Sequence, residues 1–152
     1  MIKQFILEGT KRNGYYFFGN IGVGKTTLIT GIARILTAFL TSPMQYMPMP
    51  KLLKLLTSIE REDKDKIERF ERLPLLVVDD FGLERFTTDN QEALARDFFS
   101  YRYGNLHTTF ICGNADVRKF QTKNMFYRQI SDYLNDAEAY KVFEIKGQSR
   151  RK

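Results

Sequence analysis

The sequence predicts an α/β domain: a parallel sheet of five strands with helices packed on both faces, three layers in all. Three observations lead there. Short apolar runs alternate with longer segments of helical periodicity along the chain, the pattern of strands joined by helical crossovers. The run Leu75-Leu76-Val77-Val78 is apolar at every position rather than every second one, as befits a parallel strand covered on both faces. A glycine-rich octapeptide, Gly19 to Thr26, falls between the first strand and the first helix. That is the carboxyl end of a strand, where open α/β sheets bind their ligands.

The elements follow in order. Ile2 to Glu8 has the pattern of one or two helical turns. Tyr15 to Phe18 is an aromatic run that stops at Gly19 and reads as a strand. Lys25 to Phe39 contains no proline and places Leu28, Ile29, Ile32, Ile35, Leu36 and Phe39 on one helical face. Met44 to Met47, bracketed by Pro43 and Pro48, is a second strand, and Lys51 to Ile59 a second helix. Glu60 to Arg72 mixes both charge signs densely, the composition of a solvated helix laced with i,i+4 pairs. After the strand at Leu75, Thr88 or Asp89 can cap a helix running to about Tyr103, with Gly104 as its stop. Thr108 to Cys112 is the fourth strand, Asn124 to Leu134 a helix, and Tyr140 to Ile145 the fifth strand.

With 152 residues the chain reads as one domain, residues 1–152, able to bury a core without disulfides or a structural metal. Its single cysteine, Cys112, lies in an apolar run and reads as a small buried hydrophobe. No disulfide framework or Cys/His metal cluster can be drawn, so a cytoplasmic setting is the default. The longest apolar stretch, Leu28 to Leu40, is interrupted by Arg34 and is too short to span a bilayer, and Met1 to Phe5 lacks the apolar core of a secretory signal; no membrane partner is expected. The net charge of +6 favours a polyanionic partner, nucleic acid first, although part of the excess sits in Arg150-Arg151-Lys152.

Gly19-Asn20-Ile21-Gly22-Val23-Gly24-Lys25-Thr26 satisfies G-x-x-x-x-G-K-[ST], the phosphate loop or Walker A motif, in full. Each residue type has a reason. Gly22 and Gly24 allow backbone conformations that let several N–H groups face one phosphate. The helix that starts near Lys25 adds its positive end. Lys25 reaches the β- and γ-phosphates, the Thr26 hydroxyl ligates Mg²⁺, and Thr27 lines the same turn within range of the α-phosphate. ATP and Mg²⁺ are the expected ligands.

Downstream, Leu75-Leu76-Val77-Val78-Asp79-Asp80 is an apolar strand tipped by two acids, a Walker B pattern. Carboxylates there are costly unless a cation or hydrogen bonds compensate, and a magnesium nucleotide supplies a cation. Asp79 is the candidate Mg²⁺ partner and Asp80 the candidate base or orienter of the attacking water. After the fourth strand, Asn114 has two readings: an amide that holds the water between the acids and the γ-phosphate, or a residue serving a turn or helix entry.

These residues resemble the DnaC/IstB branch of the AAA+ ATPases, which contains bacterial and phage helicase loaders and transposition helper proteins. Leu75 to Gly82 resembles the acidic strand of that branch with its following glycine. Phe98 to Tyr103 resembles a helix ending in an Arg-Tyr pair, and Thr108 to Asn114 the strand that carries the sensor asparagine. Tyr127-Arg128-Gln129-Ile130 resembles the arginine-finger segment, with Tyr127 in place of the usual Ser, and Val142 to Arg151 resembles the closing strand and its G-x-S-x-R tail.

The resemblance implies an AAA+ core; the sequence departs from the family in that so few residues precede the first strand that the N-terminal helicase-binding domain loaders usually carry is expected to be missing, and no helical lid domain is expected. It implies ATP hydrolysis at the interface of a homo-oligomer, with Arg128 of one subunit reaching the γ-phosphate of its neighbour and Arg151 of the tail at the nucleotide; the other reading of Arg128 is a surface arginine on an amphipathic helix. It implies a role in DNA replication, with a hexameric DnaB-type replicative helicase and single-stranded DNA as partners. Lys119, Phe120, Lys123, Tyr101 and Tyr103 are candidates for DNA contact by charge and stacking, and core packing or solvation accounts for them equally well. Two other functions remain open: a transposition helper of the same branch, and a nucleotide-regulated binding module with little hydrolysis. A small-molecule kinase would need an arginine-rich lid, and none is found in the sequence.

Overall fold

The computed structural model describes residues 14–40, 43–82 and 84–147. The first strand, β1 (Gly14–Phe18), leads through the glycine-rich loop into α1 (Lys25–Leu40). Then come β2 (Met44–Pro48), α2 (Met49–Leu56), α3 (Arg61–Arg72), β3 (Leu75–Phe81), α4 (Asp89–Gly104), β4 (Thr108–Gly113), a short 3₁₀ turn (Val117–Lys119), α5 (Met125–Asn135) and β5 (Tyr140–Glu144). The five strands form one sheet in the order β2-β3-β4-β1-β5, and every pairing is parallel. The expected turns at Ile2 to Glu8 fall outside the described residues.

The period of two along each strand sorts the core into two halves. Tyr15, Phe17, Leu75, Val77, Phe110 and Cys112 face α1, where they meet Ile29, Ile32, Ala33 and Leu36. Tyr16, Met47, Leu76, Val78, Phe81 and Ile111 point the other way, onto Met49, Leu52 and Leu53 of α2, Ala95, Phe98 and Phe99 of α4, and Phe126, Ile130 and Leu134 of α5. Both faces of the sheet are therefore covered, which explains why β3 is apolar at consecutive positions. Each such side chain contributes about 1.5–3 kcal/mol on full burial.

α3 has no buried residue, as its composition requires. Ile67 and Phe70 rest partly buried against the core, while Lys66 bridges Glu62 (2.9 Å) and Asp63 (3.1 Å) on the outer side. α2 starts two residues earlier and ends three earlier than the periodicity indicates. Pro50 sits in its first turn, where a missing N–H costs nothing, and Ile59 is left 90% exposed in the linker. Thr88 is the N-cap of α4, accepting from the Gln91 N–H at 3.1 Å. Gly104 is not the stop it was expected to be. It is the last helical residue, Asn105 is the C-cap, and the left-handed turn residue is Leu106 (φ 58°). Among the described residues no helix is long and apolar enough to cross a membrane.

α5 is held by its own cap and by a neighbour. Asn124 Oδ1 accepts from the Tyr127 N–H (3.1 Å), and the Glu92 carboxylate of α4 accepts from the Phe126 N–H (2.9 Å) and from Asn124 Nδ2 (3.1 Å). An acid at a helix N-terminus satisfies amides that have no partner within the helix.

Candidate nucleotide site

The strand order decides what meets at the carboxyl edge of the sheet. β4 lies between β1 and β3, so the loop after β1, the acids at the end of β3 and the residue after β4 emerge side by side. They line one cleft of about 790 Å³, formed by residues 21–28 of the loop and α1, Asp79 and Asp80 of β3, Cys112 and Gly113 of β4, Asn114, and Ile145 and Lys146 beyond β5. Gly19 and Asn20 line the adjoining hollow, again with Asn114 and Lys146.

The phosphate loop has the backbone its glycines permit: φ is +84° at Gly22 and +90° at Gly24, values that side chains disfavour. Lys25 is only 8% exposed. Its ammonium curls back over the loop and donates to the carbonyls of Gly19 and Asn20, at 2.8 Å each. The loop thus encloses a fixed positive charge above its own amides.

Asp79 is 4% exposed. Its Oδ2 accepts from the Thr26 hydroxyl (2.7 Å) and the Tyr46 hydroxyl (2.8 Å), and its Oδ1 from the Asp80 N–H (2.8 Å). The Cys112 thiol donates to it as well. Burial pushes the Asp79 carboxyl up, but these four donors outweigh it and hold the group below the ordinary carboxylate value. The same contact acts in reverse on its neighbours: burial, then the Asp79 charge, raise the Cys112 thiol, and burial followed by the Asp79 hydrogen bond raises the Tyr46 phenol. Cys112 is buried as expected and also contributes a donor to the site.

Asp80 shares the cleft with Asp79 but differs from it in exposure and in backbone. It is exposed, lines the cleft, and has a left-handed backbone (φ 56°). The pairing of β3 with β4 slips between Val78 and Phe81, so the two acids sit on a bulge that aims them in different directions. The partner strand must come close for this to work. A Cβ on Gly113 would lie 2.6 Å from the Phe81 carbonyl oxygen and 2.6 Å from the Tyr16 hydroxyl.

Asn114 lines the cleft between the acids and the loop. Of its other readings, helix entry falls to Asp116, which caps the 3₁₀ turn by accepting from the Arg118 N–H at 3.2 Å, while Asn114 itself lies in the bend that follows β4. The Tyr16 hydroxyl donates to the Ala115 carbonyl and pins the backbone beside Asn114.

A magnesium ion fits this donor set. Thr26 Oγ1 and Asp79 Oδ2 are hard oxygens 2.7 Å apart beside the phosphate loop, and Mg²⁺ characteristically binds through one or two such groups plus substrate phosphates. Among the described residues no cluster of three or more His, Cys, Asp or Glu could cage an ion independently.

Not every candidate converges. Arg128 is exposed on α5 and does not line the cleft of its own chain. Arg151 lies outside the described residues. Of the aromatic candidates for DNA, Tyr103 and Phe120 are committed to packing. The Tyr103 ring stacks on Tyr133 at 3.9 Å, and its hydroxyl donates to Asp136 at 2.7 Å; that bond, then burial, raises the phenol to about 12. Phe120 packs edge-on against Tyr127. Lys119, Lys123 and Tyr101 remain exposed.

Sequence reasoning missed Tyr46, Ile145 and Lys146. Tyr46 reaches Asp79 only because β2 pairs with β3 in a register that sets Pro48 opposite Asp79. Ile145 and Lys146 arrive because β5 pairs with β1 and runs on past the loop, the Ile145 N–H donating to the Phe18 carbonyl at 2.7 Å. Parallel pairings between distant segments leave no local signature.

No protein-family model matches the sequence, and no curated protein matches it. Solved structures do. DnaI is 25% identical and superposes with a TM-score of 0.76 over 99% of this chain and 80% of its own. The DnaC helicase loader is 24% identical, with a TM-score of 0.73 over 95% of this chain and 86% of its own. The replication initiator DnaA, solved with AMPPCP and single-stranded DNA, shares the fold at 13% identity and a TM-score of 0.70; 98% of this chain covers 46% of it. The five-stranded order, the phosphate loop facing the acid-tipped strand and the likeness to DnaI agree with the resemblance to AAA+ proteins of the DnaC/IstB-like family.

Proposed function

We propose that the chain binds Mg·ATP in the cleft and hydrolyses it, and that it acts in DNA replication as a loader of a hexameric replicative helicase. The observation that carries the enzymatic part is the Thr26–Asp79 contact of 2.7 Å, which brings the phosphate loop and the acid-tipped strand to a single point. In this reading the amides of residues 19–26 and Lys25 hold the phosphates, Thr26 and Asp79 hold Mg²⁺, and the ion offsets phosphate charge. Asp80, outside the ladder and exposed in the cleft, orients the attacking water or accepts its proton, and Asn114 is a second polar contact for that water.

Replacement of Asp80 by Asn is therefore expected to leave Mg·ATP affinity unchanged and to lower turnover by about 10²–10⁴-fold. Calorimetry with a non-hydrolysable analogue, alongside phosphate release, checks both halves. Unchanged turnover would remove Asp80 from the reaction and favour a nucleotide-regulated binding module.

The loader role rests on the likeness to DnaI and to the DnaC helicase loader. Side-by-side assembly would let exposed Arg128 act on the nucleotide of a neighbouring subunit, and a guanidinium supplied in trans is worth about 10³–10⁵ in rate. Single-stranded DNA is the proposed second partner, in a cytoplasmic setting. DnaA of the same fold binds such a strand, and this chain carries +6. Binding driven by charge should weaken steeply with salt, by about 0.7 log units per log unit of salt for each phosphate neutralised. Fluorescence anisotropy with a labelled oligonucleotide measures the slope, and a flat response counts against a DNA role. Co-purification in ATP with a replicative helicase supports loading; recovery of a transposase instead reassigns the chain to transposition.

A further inference from the structure

Asp80 holds a left-handed backbone conformation that side chains disfavour, and hydrogen bonds on both sides fix it there. On its N-terminal side the acceptor is Asp79, whose Oδ1 takes the Asp80 N–H. On its C-terminal side the Gly82 N–H is taken by the Glu84 carboxylate, with both oxygens at 2.9 Å. Glu84 does not stand alone. The Tyr127 hydroxyl donates to the same carboxylate, and the Glu84 N–H donates to the Tyr127 oxygen at 3.1 Å.

Tyr127 is on α5, one residue before Arg128, and is 8% exposed. Its ring meets Phe81 edge-on at 6.2 Å, with Phe86 and Phe120 also against it. Phe81 itself is fully buried against Phe99 of α4 and Phe126 of α5. The stretch that contains Asp80 is thus fastened to α5 twice, by an aromatic contact at Phe81 and by a polar one at Glu84. Burial, with the nearby Asp80 charge adding to it, raises the Glu84 carboxyl despite the hydrogen bonds it accepts. A group kept at that cost invites a role beyond packing.

We propose that Glu84 and Tyr127 are positioning residues for Asp80: they hold the left-handed turn that presents Asp80 to the nucleotide, and they tie that turn to α5, the helix bearing Arg128. The proposal rests on the reading of the cleft as an ATPase site. Where a neighbouring subunit shifts α5, the shift reaches Asp80 through one hydroxyl and one carboxylate.

The test uses the full chain with Mg·ATP. Tyr127→Phe keeps the ring and removes the hydroxyl; Glu84→Gln removes the charge. Each should lower kcat by about ten- to a hundredfold while KM and the affinity for AMPPCP stay within about twofold, because the misplaced group acts in the reaction and not in binding. The double variant should be no worse than the poorer single one, as expected of one shared device. A purely structural pair would lower the melting temperature and leave kcat alone, and that outcome overturns the proposal, as does a rise in KM at constant kcat. Should Tyr127→Phe fail to fold, Glu84→Gln carries the test. Wild-type protein that binds the nucleotide without turning it over sinks the ATPase reading and this inference together; active wild type matched by both variants sinks this inference alone.

Discussion

Lys25→Ala is expected to abolish measurable Mg·ATP binding, and turnover with it. The ammonium is nearly buried, and its partners are the Gly19 and Asn20 carbonyls of the loop it must serve. Deleting one partner of a buried, hydrogen-bonded charge pair costs about 2–5 kcal/mol, from tens-fold to thousands-fold in affinity. The substitution has a second effect in the free protein, since it leaves those two carbonyls without their donor and loosens the loop that carries the amides. Calorimetry resolves both, as a lost binding isotherm and as a thermal stability that no longer rises on adding nucleotide. Retained affinity would mean that the amides alone hold the phosphates and that the lysine serves only the shape of the loop.

The second large effect is structural. Arg102→Met should destabilise the fold by about 3–5 kcal/mol, roughly 10 °C or more in melting temperature for a domain of this size. Arg102 is 1% exposed, the largest fully buried side chain in the described structure. Its guanidinium donates to Thr109 Oγ1 (2.9 Å), to the Thr108 carbonyl (2.7 Å), and to the carbonyls of Phe70, Glu71 (3.1 Å) and Leu73 (2.9 Å). Those last three close the C-terminal end of α3, whose final carbonyls have no partners within the helix and which favours a cation there. One side chain of α4 therefore joins a charged outer helix to β4. Burial drives the Arg102 pKa down to about 10, so the group stays protonated at neutral pH. Methionine conserves much of the volume, which isolates the loss of the donors from the cost of a cavity. Urea denaturation measures it. A change within 0.5 kcal/mol, of the order seen at unremarkable surface sites, would show that water replaces the guanidinium at no cost.

Much of this architecture could be read before the structure, and for physical reasons. A strand covered on both faces has to be apolar throughout, so β3 announces itself at Leu75 to Val78. A phosphate cradle needs glycines at two positions, a lysine and a hydroxyl in fixed order, so Gly22, Gly24, Lys25 and Thr26 are legible as a set. The charge of α3 likewise marks it as an outer helix. Arg102 was visible only as part of an Arg-Tyr pair at a helix end. Nothing in its neighbours signals that it is the buried residue and that Tyr103 is the one stacked at the edge.

Local chemistry, then, was written along the chain: turns, periodicity, and the spacing of groups that must act within a few residues of one another. The convergence of those groups was not. That Asp79 collects hydroxyls from Thr26 and Tyr46, residues 53 and 33 positions away, depends on strand order and register. The left-handed turn at Asp80 likewise depends on a slip in the pairing with β4 and on the Glu84–Tyr127 contact with α5. Such contacts arise from the summed packing of two core halves, and no short segment contains the energy that selects them.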